Sequence, residues 1–290
     1  MAQESVDFSA FHSRLKVAGT LRLETAMRIG AGGGGGATEQ DLPVLKDLAH
    51  RPYIPGSSFK GAYRAHLESL LRGMNGRLAC LSTDTAARFS DKRDAVPGCV
   101  SQGDVDAWKE EYRAKPAMLS QRILERSCWT CRLCGAPWLG SKLAVRDMPV
   151  VASTWFDRYL IRDGVAIDRD TETVGEGLKF DYEAVPAGTA FRFEMVVDNA
   201  TEAELGLALL GLREFEDGLV TLGGGRSRGL GQVTLEVDWR NEKETWLVTG
   251  EGLRDYLWDR RATSLADEKV RRQYWEKFLE EVHRGGERDA

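Results

Sequence analysis

No stretch of this sequence is apolar enough for long enough to cross a bilayer, and its polar opening, Met1-Ala2-Gln3-Glu4-Ser5, has no apolar signal-peptide segment. No membrane partner is expected, and the expected location is the cytoplasm. An excess of positive charge is missing too. The formal net charge of −5 counts against a purely electrostatic coat for nucleic acid. That average hides a basic region, because Lys46, Arg51, Lys60, Arg64, Arg72 and Arg77 face only Asp47 and Glu68 over the same span. Histidine is scarce, and His12, His50, His66 and His283 show no supporting catalytic pattern. No Gly-Lys-Ser/Thr follows the glycine run, which excludes a Walker loop. The five cysteines are an odd number, and three crowd into Cys128-Trp129-Thr130-Cys131-Arg132-Leu133-Cys134; in a reducing compartment that crowding points to metal rather than disulfides.

What the chain does have is exposed main chain. Arg28-Ile29-Gly30-Ala31-Gly32 opens a glycine run through Gly36, followed by Asp41-Leu42-Pro43-Val44-Leu45-Lys46-Asp47 and by Tyr53-Ile54-Pro55-Gly56-Ser57-Ser58-Phe59-Lys60-Gly61. Glycine permits positive φ and close approach of a large ligand to the backbone. Ser57 and Ser58 stand where a helix N-cap is expected, with Phe59, Tyr63, Leu67, Leu70 and Leu71 following at helical spacing. A helix N-terminus there would favour phosphate, with Lys60 and Arg64 as mobile positive charge. A lone carboxylate in this frame, Asp41, suggests phosphodiester chemistry or binding; an acid in such a loop can equally cap a turn. A second glycine-rich turn, Gly223 to Gly231, would set Arg226, Ser227 and Arg228 beside phosphates, or form a solvated hairpin turn.

Alternation of Leu15, Val17, Leu21 and Leu23 predicts a strand over 14–25. Further strands are expected within 142–151, at Phe191 to Val197 and at Val233 to Val237, with helices at 57–72 and 202–216 and a C-terminal helix carrying Val270, Tyr274, Phe278 and Val282. Asp163-Gly164 and Gly175-Glu176-Gly177 read as turns. The order strand, helix, strand, strand, helix, strand is an α+β, ferredoxin-like (RRM-like) βαββαβ core. The expectation is one domain over 1–290 with two insertions, 73–141 and 152–188.

These motifs, from Met27-Arg28-Ile29-Gly30 through Tyr53-Ile54-Pro55-Gly56-Ser57-Ser58 to the glycine-arginine turn, resemble the RAMP superfamily of CRISPR-associated proteins, and within it the repeated backbone subunit of type III effector complexes. The resemblance implies a subunit that polymerises along a CRISPR guide RNA with other copies of itself or related backbone subunits and with other effector-complex subunits. It implies that 73–141 is a helical, zinc-containing insertion and 152–188 a β-hairpin thumb that interrupts the guide–target duplex. It places at Asp41 an acid that cleaves target RNA, and gives Asp47 a structural role. The RNA contacts then fall on Arg28, Gly30, Gly32, Ser57, Ser58, Lys60, Arg64, Arg226, Ser227 and Arg228. RNA supplies its own nucleophile, the 2′-OH, so one carboxylate, or a carboxylate with a divalent cation such as Mg2+, suffices to drive a cut that leaves a cyclic phosphate. A non-catalytic scaffold subunit and a precursor-processing endoribonuclease of the same superfamily are the alternatives; the second usually relies on histidine.

Cys128, Cys131 and Cys134 can converge on one tetrahedral Zn2+ because two-residue gaps bring sulfurs together in a tight turn. The fourth ligand is expected to be Cys99, with Cys80 second. Zinc-containing members of the family often carry phenylalanine at the position of Cys134.

Overall fold

The computed structural model describes residue 8 and residues 10–31, 42–80, 99–167 and 174–288. Its centre is an antiparallel sheet. The long strand β1 (Ser13–Leu23) pairs along one edge with β7 (Ala190–Asp198), in register from Arg14↔Asp198 to Arg22↔Ala190. On its other edge lie two strands end to end, β8 (Val233–Val237) opposite Gly19 to Leu23 and β9 (Trp246–Thr249) opposite Ser13 to Lys16. The short strand β3 (Leu143–Val145) extends the sheet beyond β7, giving the order β3-β7-β1-β8.

Period-two alternation fixes which face is dry. Leu15, Val17, Leu21 and Leu23 are buried and lie opposite Val197, Met195, Phe191 and, on β8, Val233. Helix α1 (Gly56–Met74) packs on this face: Phe59 lies 5.0 Å from the Phe193 ring and 4.3 Å from Phe215 of a second helix, Glu202–Glu216. The opposite face carries ion pairs instead, Arg14 with Asp198 at 2.6 Å and Lys16 with Glu244 at 3.2 Å.

Between α1 and β3 come α2 (Gln102–Glu111), α3 (Pro116–Arg126) and the six-residue α4 (Trp129–Cys134). After β3, the strand β4 (Met148–Pro149) pairs with β2 (Tyr53–Ile54), and a hairpin of β5 (Leu160–Ile167) and β6 (Val174–Ala184) follows. Asp163-Gly164 and Gly175-Glu176-Gly177, which the sequence marks as turns, lie inside these strands. Gly164 stands opposite Phe180, and a side chain there would meet the Phe180 ring at 2.3 Å; the glycine makes room for a cross-strand ring rather than bending the chain. Continuing in chain order, α5 is Glu202–Glu216, α6 is Leu253–Asp259 and α7 is Glu268–Arg288. The crossing of α5 and α7 is tight because Gly206 lets the Tyr274 carbonyl approach; a Cβ on Gly206 would lie 2.0 Å from it. Phe278 and Trp275 of α7 are both buried there.

A buried ion cluster joins α4, Lys142 just before β3, and α5. Glu204, fully buried, accepts from Arg132 at 2.9 Å and from the buried Lys142 at 2.5 Å, while completing the N-terminal capping box of α5 with Thr201. Glu204→Gln removes the charge that two cations depend on and leaves Lys142 buried without a counter-ion. A loss of roughly 3–5 kcal/mol is expected, read as a lower midpoint in urea; an unchanged midpoint would show that the cluster contributes nothing net.

Candidate nucleic-acid interface and metal centre

The segment that leads into the first glycine run meets the second glycine-rich turn, nearly two hundred residues later in sequence. The Gly224 N–H donates to the Arg28 carbonyl at 2.8 Å, and residues 28 and 224 form an antiparallel bridge. This approach requires glycine at 223, which has φ 80° and whose Cβ would sit 2.3 Å from the Arg28 carbonyl oxygen. Gly225 and Gly229, both left-handed, bound a single 3-10 turn of Arg226, Ser227 and Arg228, and all three turn residues are exposed. Leu230 anchors the turn from beneath, packing with Ala26 and Ala184 and against Tyr182. The turn, the segment 26–31 and the foot of β6 therefore form one junction. Arg28 lies in it, its guanidinium 6.0 Å from the Tyr182 ring, and its Nε is buried with no hydrogen-bond partner among the described residues.

Past the glycine run the chain returns antiparallel to its own approach: Gly30 bridges Val44, and Leu45 N–H donates to the Ile29 carbonyl at 2.9 Å. Asp41 and Gly32 lie outside the described residues. The next residue, Leu42, is bridged to Tyr182, and its carbonyl accepts from Glu183 N–H at 3.2 Å. The buried carboxylate of Glu183 accepts in turn from Val44 N–H at 3.1 Å and pairs with Lys46 at 2.8 Å, so the segment after Asp41 is fastened to β6. Asp47 caps its own turn, accepting from the Ala49 and Arg51 N–H groups, each at 2.9 Å, and pairing with the Arg51 side chain. Those hydrogen bonds, the backbone one from Arg51 first, hold its carboxyl below the usual carboxylate range.

The start of α1 differs from its sequence reading. Pro55 is the N-cap, Ser57 and Ser58 lie inside the first turn, and no side chain of the cap bonds the helix. Asp147 supplies the missing acceptor from far along the chain, taking the Gly56 N–H at 2.8 Å. Lys60 and Arg64 are likewise not mobile charge: Lys60 donates to Ser141 Oγ at 2.6 Å and to the Leu143 carbonyl at 3.0 Å, and burial pushes its pKa down. Arg64 Nε donates to Glu68 at 2.7 Å, Nη1 to the Gly135 carbonyl at 2.8 Å and Nη2 to Cys131 Sγ at 3.4 Å. Burial opposes its charge, yet the Glu68 hydrogen bond and the neighbouring Cys131 keep its pKa above the ordinary value. His66 is also internal, 2.8 Å from Glu214 of α5.

Four thiols converge, and they are Cys80, Cys99, Cys128 and Cys131, their sulfurs within 4.8 Å of one another. The expected set has Cys134 in place of Cys80, but Cys134 is not among the four converging thiols. Cys134 closes α4 one turn past Cys131, but it points into the main core, where burial pushes its thiol up to about 11. Leu78 places Cys80 instead: its carbonyl accepts from Trp129 N–H at 3.1 Å, and the Cys80 N–H donates to Cys128 Sγ at 3.4 Å. A zinc with bonds of about 2.3 Å at tetrahedral angles separates its sulfurs by about 3.8 Å. Here Cys80 and Cys99 lie 3.4 and 3.8 Å from Cys131. The donor set fits a closed, four-thiolate structural site.

The family model of the RAMP superfamily matches residues 20–234, from the middle of β1 to the first residues of β8. The chain belongs to the RAMP superfamily. The matched span contains both glycine-rich stretches and all four converging cysteines, so the RAMP region and the junction described above coincide. The chain is also 28% identical over 235 residues, 74% of its own length and 75% of the relative's, to the CRISPR system Cms endoribonuclease Csm3 of Methanocaldococcus jannaschii. No helix among the described residues is long and apolar enough to cross a membrane.

Proposed function

We propose that this RAMP protein is a guide-RNA-binding backbone subunit of a type III CRISPR ribonucleoprotein that cleaves paired target RNA with Asp41. One observation carries the reading: the hydrogen bond from Gly224 to the Arg28 carbonyl joins the chain leading into the first glycine run to an exposed, glycine-bounded Arg-Ser-Arg turn. Backbone N–H groups, glycines and arginines bind phosphates and shape rather than base identity, which suits a subunit whose specificity comes from a paired guide. The relative named as an endoribonuclease supports the same class of activity. In this reading Arg28, Gly30, Gly32, Ser57, Ser58, Arg226, Ser227 and Arg228 face RNA, and Lys60 and Arg64 hold α1 in place instead. The sheet order β3-β7-β1-β8, with α1 and α5 on one face, supports reading the core as ferredoxin-like. The insertions over 73–141 and 152–188 are then the zinc-bearing segment and the thumb, whose strands are β5 and β6. Its partners are guide RNA, target RNA, further backbone subunits and other subunits of the complex.

Asp41 orients or deprotonates the 2′-OH of the target, which attacks the adjacent phosphorus; the 5′-oxygen departs and a cyclic phosphate remains. A divalent cation such as Mg2+ at this site would be held by the Asp41 carboxylate together with the RNA phosphates, and would shield the charge that develops on the phosphorus. The zinc of the tetrad supplies folding energy and no chemistry at the phosphate.

Binding tests the reading through salt. Arg226→Ala with Arg228→Ala removes two phosphate contacts, so guide-RNA affinity should fall and the slope of log K against log salt should flatten by about 1.4, at about 0.7 per phosphate on a single strand. An unchanged slope, or purified protein carrying no RNA and binding none, would refute the assignment of this junction to RNA.

A further inference from the structure

We propose that Arg64 is a positioning residue of the metal centre: its guanidinium orients the ligand Cys131 and sets how tightly the tetrad holds Zn2+. The inference rests on the zinc reading given above and goes beyond it by assigning a residue outside the cysteines. Cys131 is fully buried and lies within hydrogen-bonding distance of two of the other three sulfurs, so its orientation governs the geometry of the tetrad. Arg64 Nη2 donates to that sulfur at 3.4 Å.

The guanidinium has little freedom to do anything else. Glu68, one turn further along α1 and itself buried, holds Nε at 2.7 Å, and the Gly135 carbonyl holds Nη1 at 2.8 Å. A planar fork fixed at two points presents its remaining nitrogen in one direction, which a lysine at this position cannot reproduce. The hydrogen bond to sulfur spreads the negative charge of a four-thiolate zinc site, which would otherwise rest on sulfurs shielded from water. Gly135, which follows α4, has φ 89° and packs against Leu139 and Ser141, so the carbonyl that receives Nη1 is itself held by a tight turn.

The same contact ties the metal to the helix that carries the Ser57-Ser58 turn. Gly56, Lys60 and Arg64 recur every four residues on one side of α1, and each is bonded to the segment from Cys131 to Asp147: Gly56 to Asp147, Lys60 to Ser141 and Leu143, Arg64 to Gly135 and Cys131. Arg64 is the stitch at the metal end of that row.

The test uses the purified full chain. Zinc affinity is measured by competition with a chromophoric chelator, and the sulfur-to-metal charge-transfer band is recorded after substitution with Co2+, for the unchanged protein, Arg64→Met, Arg64→Lys and Lys60→Met. Partners that orient a metal ligand are worth about 10–100-fold in metal affinity. Arg64→Met is expected to lose that much and to shift the Co2+ band, Arg64→Lys to recover part of the affinity through its point charge, and Lys60→Met to keep both properties. Wild-type affinity and an unshifted band in Arg64→Met would overturn the inference while leaving the zinc site intact. An equal loss in Lys60→Met would also overturn it, because the effect would then belong to helix packing. Absence of bound zinc in the unchanged protein would instead refute the zinc reading and this inference with it. Should Arg64→Met fail to fold, Arg64→Lys decides alone: an affinity and a band equal to those of the unchanged protein reject the oriented fork.

Discussion

Asp41→Ala is expected to lower target-RNA cleavage at this subunit's site by about 10²–10⁴-fold, the range over which positioned general acids and bases act, with guide-RNA affinity changed by less than about twofold. The split follows from the division of labour in the proposed site. In that proposal phosphates are gripped by main chain and by the exposed Arg226–Arg228 turn. The acid acts on the 2′-OH alone. The measurement is single-turnover cleavage of a target paired to the guide in the assembled complex, with products separated to show the spacing and chemistry of the ends. Undiminished cutting would leave the protein as the non-catalytic scaffold of the alternative reading. Cleavage of guide precursor by the isolated chain would favour the processing enzyme. The described histidines lend that alternative no support: His66 is held by Glu214, His12 directly precedes β1, His50 lies in the turn after Asp47, and His283 is exposed on α7.

Loss of the metal is expected to have the second large effect. Helices α2 and α3 share only a small core of Val100, Val105 and Ile123, with Trp108, Leu119, Trp138 and Leu139 packed on it, and that cluster is separate from the main core. A patch of this size cannot offset the conformational entropy of the segment. The tetrad clips together Cys80, Cys99, Cys128 and Cys131, whose outer members are more than fifty residues apart, and structural zinc contributes up to about 10–16 kcal/mol in isolated zinc-binding peptides. One zinc per chain is expected by elemental analysis. Cys131→Ser, or strong chelation, should abolish it and speed proteolysis within 99–141 by at least about 100-fold, the population change that about 3 kcal/mol of local destabilisation gives. Cys134→Ser should retain the zinc, because Cys134 is not among the converging thiols. Retention of full metal by Cys131→Ser would dismiss the tetrad as a ligand set.

Short-range regularities were legible in the sequence. Alternation over Leu15 to Leu23 marks the dry side of β1, and the spacing of Phe59, Tyr63, Leu67 and Leu71 marks the buried stripe of α1, because both depend only on the repeat of one element. The strand β9 is not legible: Trp246-Leu247-Val248-Thr249 is too short to show a period, and it is a strand because Ser13 to Lys16 of β1 offer it an open edge. Lys60 and Arg64 looked like charge for a phosphate for a similar reason. Nothing near them in sequence reveals that Ser141, Gly135 and Cys131 lie within reach.

By itself, the sequence determined where main chain would be bare, which residues would be dry within each element, and that a cluster of thiols would want a metal. Each of these follows from interactions among residues a few positions apart. Tertiary structure alone decided that Gly224 meets Arg28, that Asp147 rather than a serine caps α1, and that Cys80 displaces Cys134 from the tetrad. Those outcomes depend on where distant segments cross, and the crossing is set by the packing of the whole core, which no local spacing encodes.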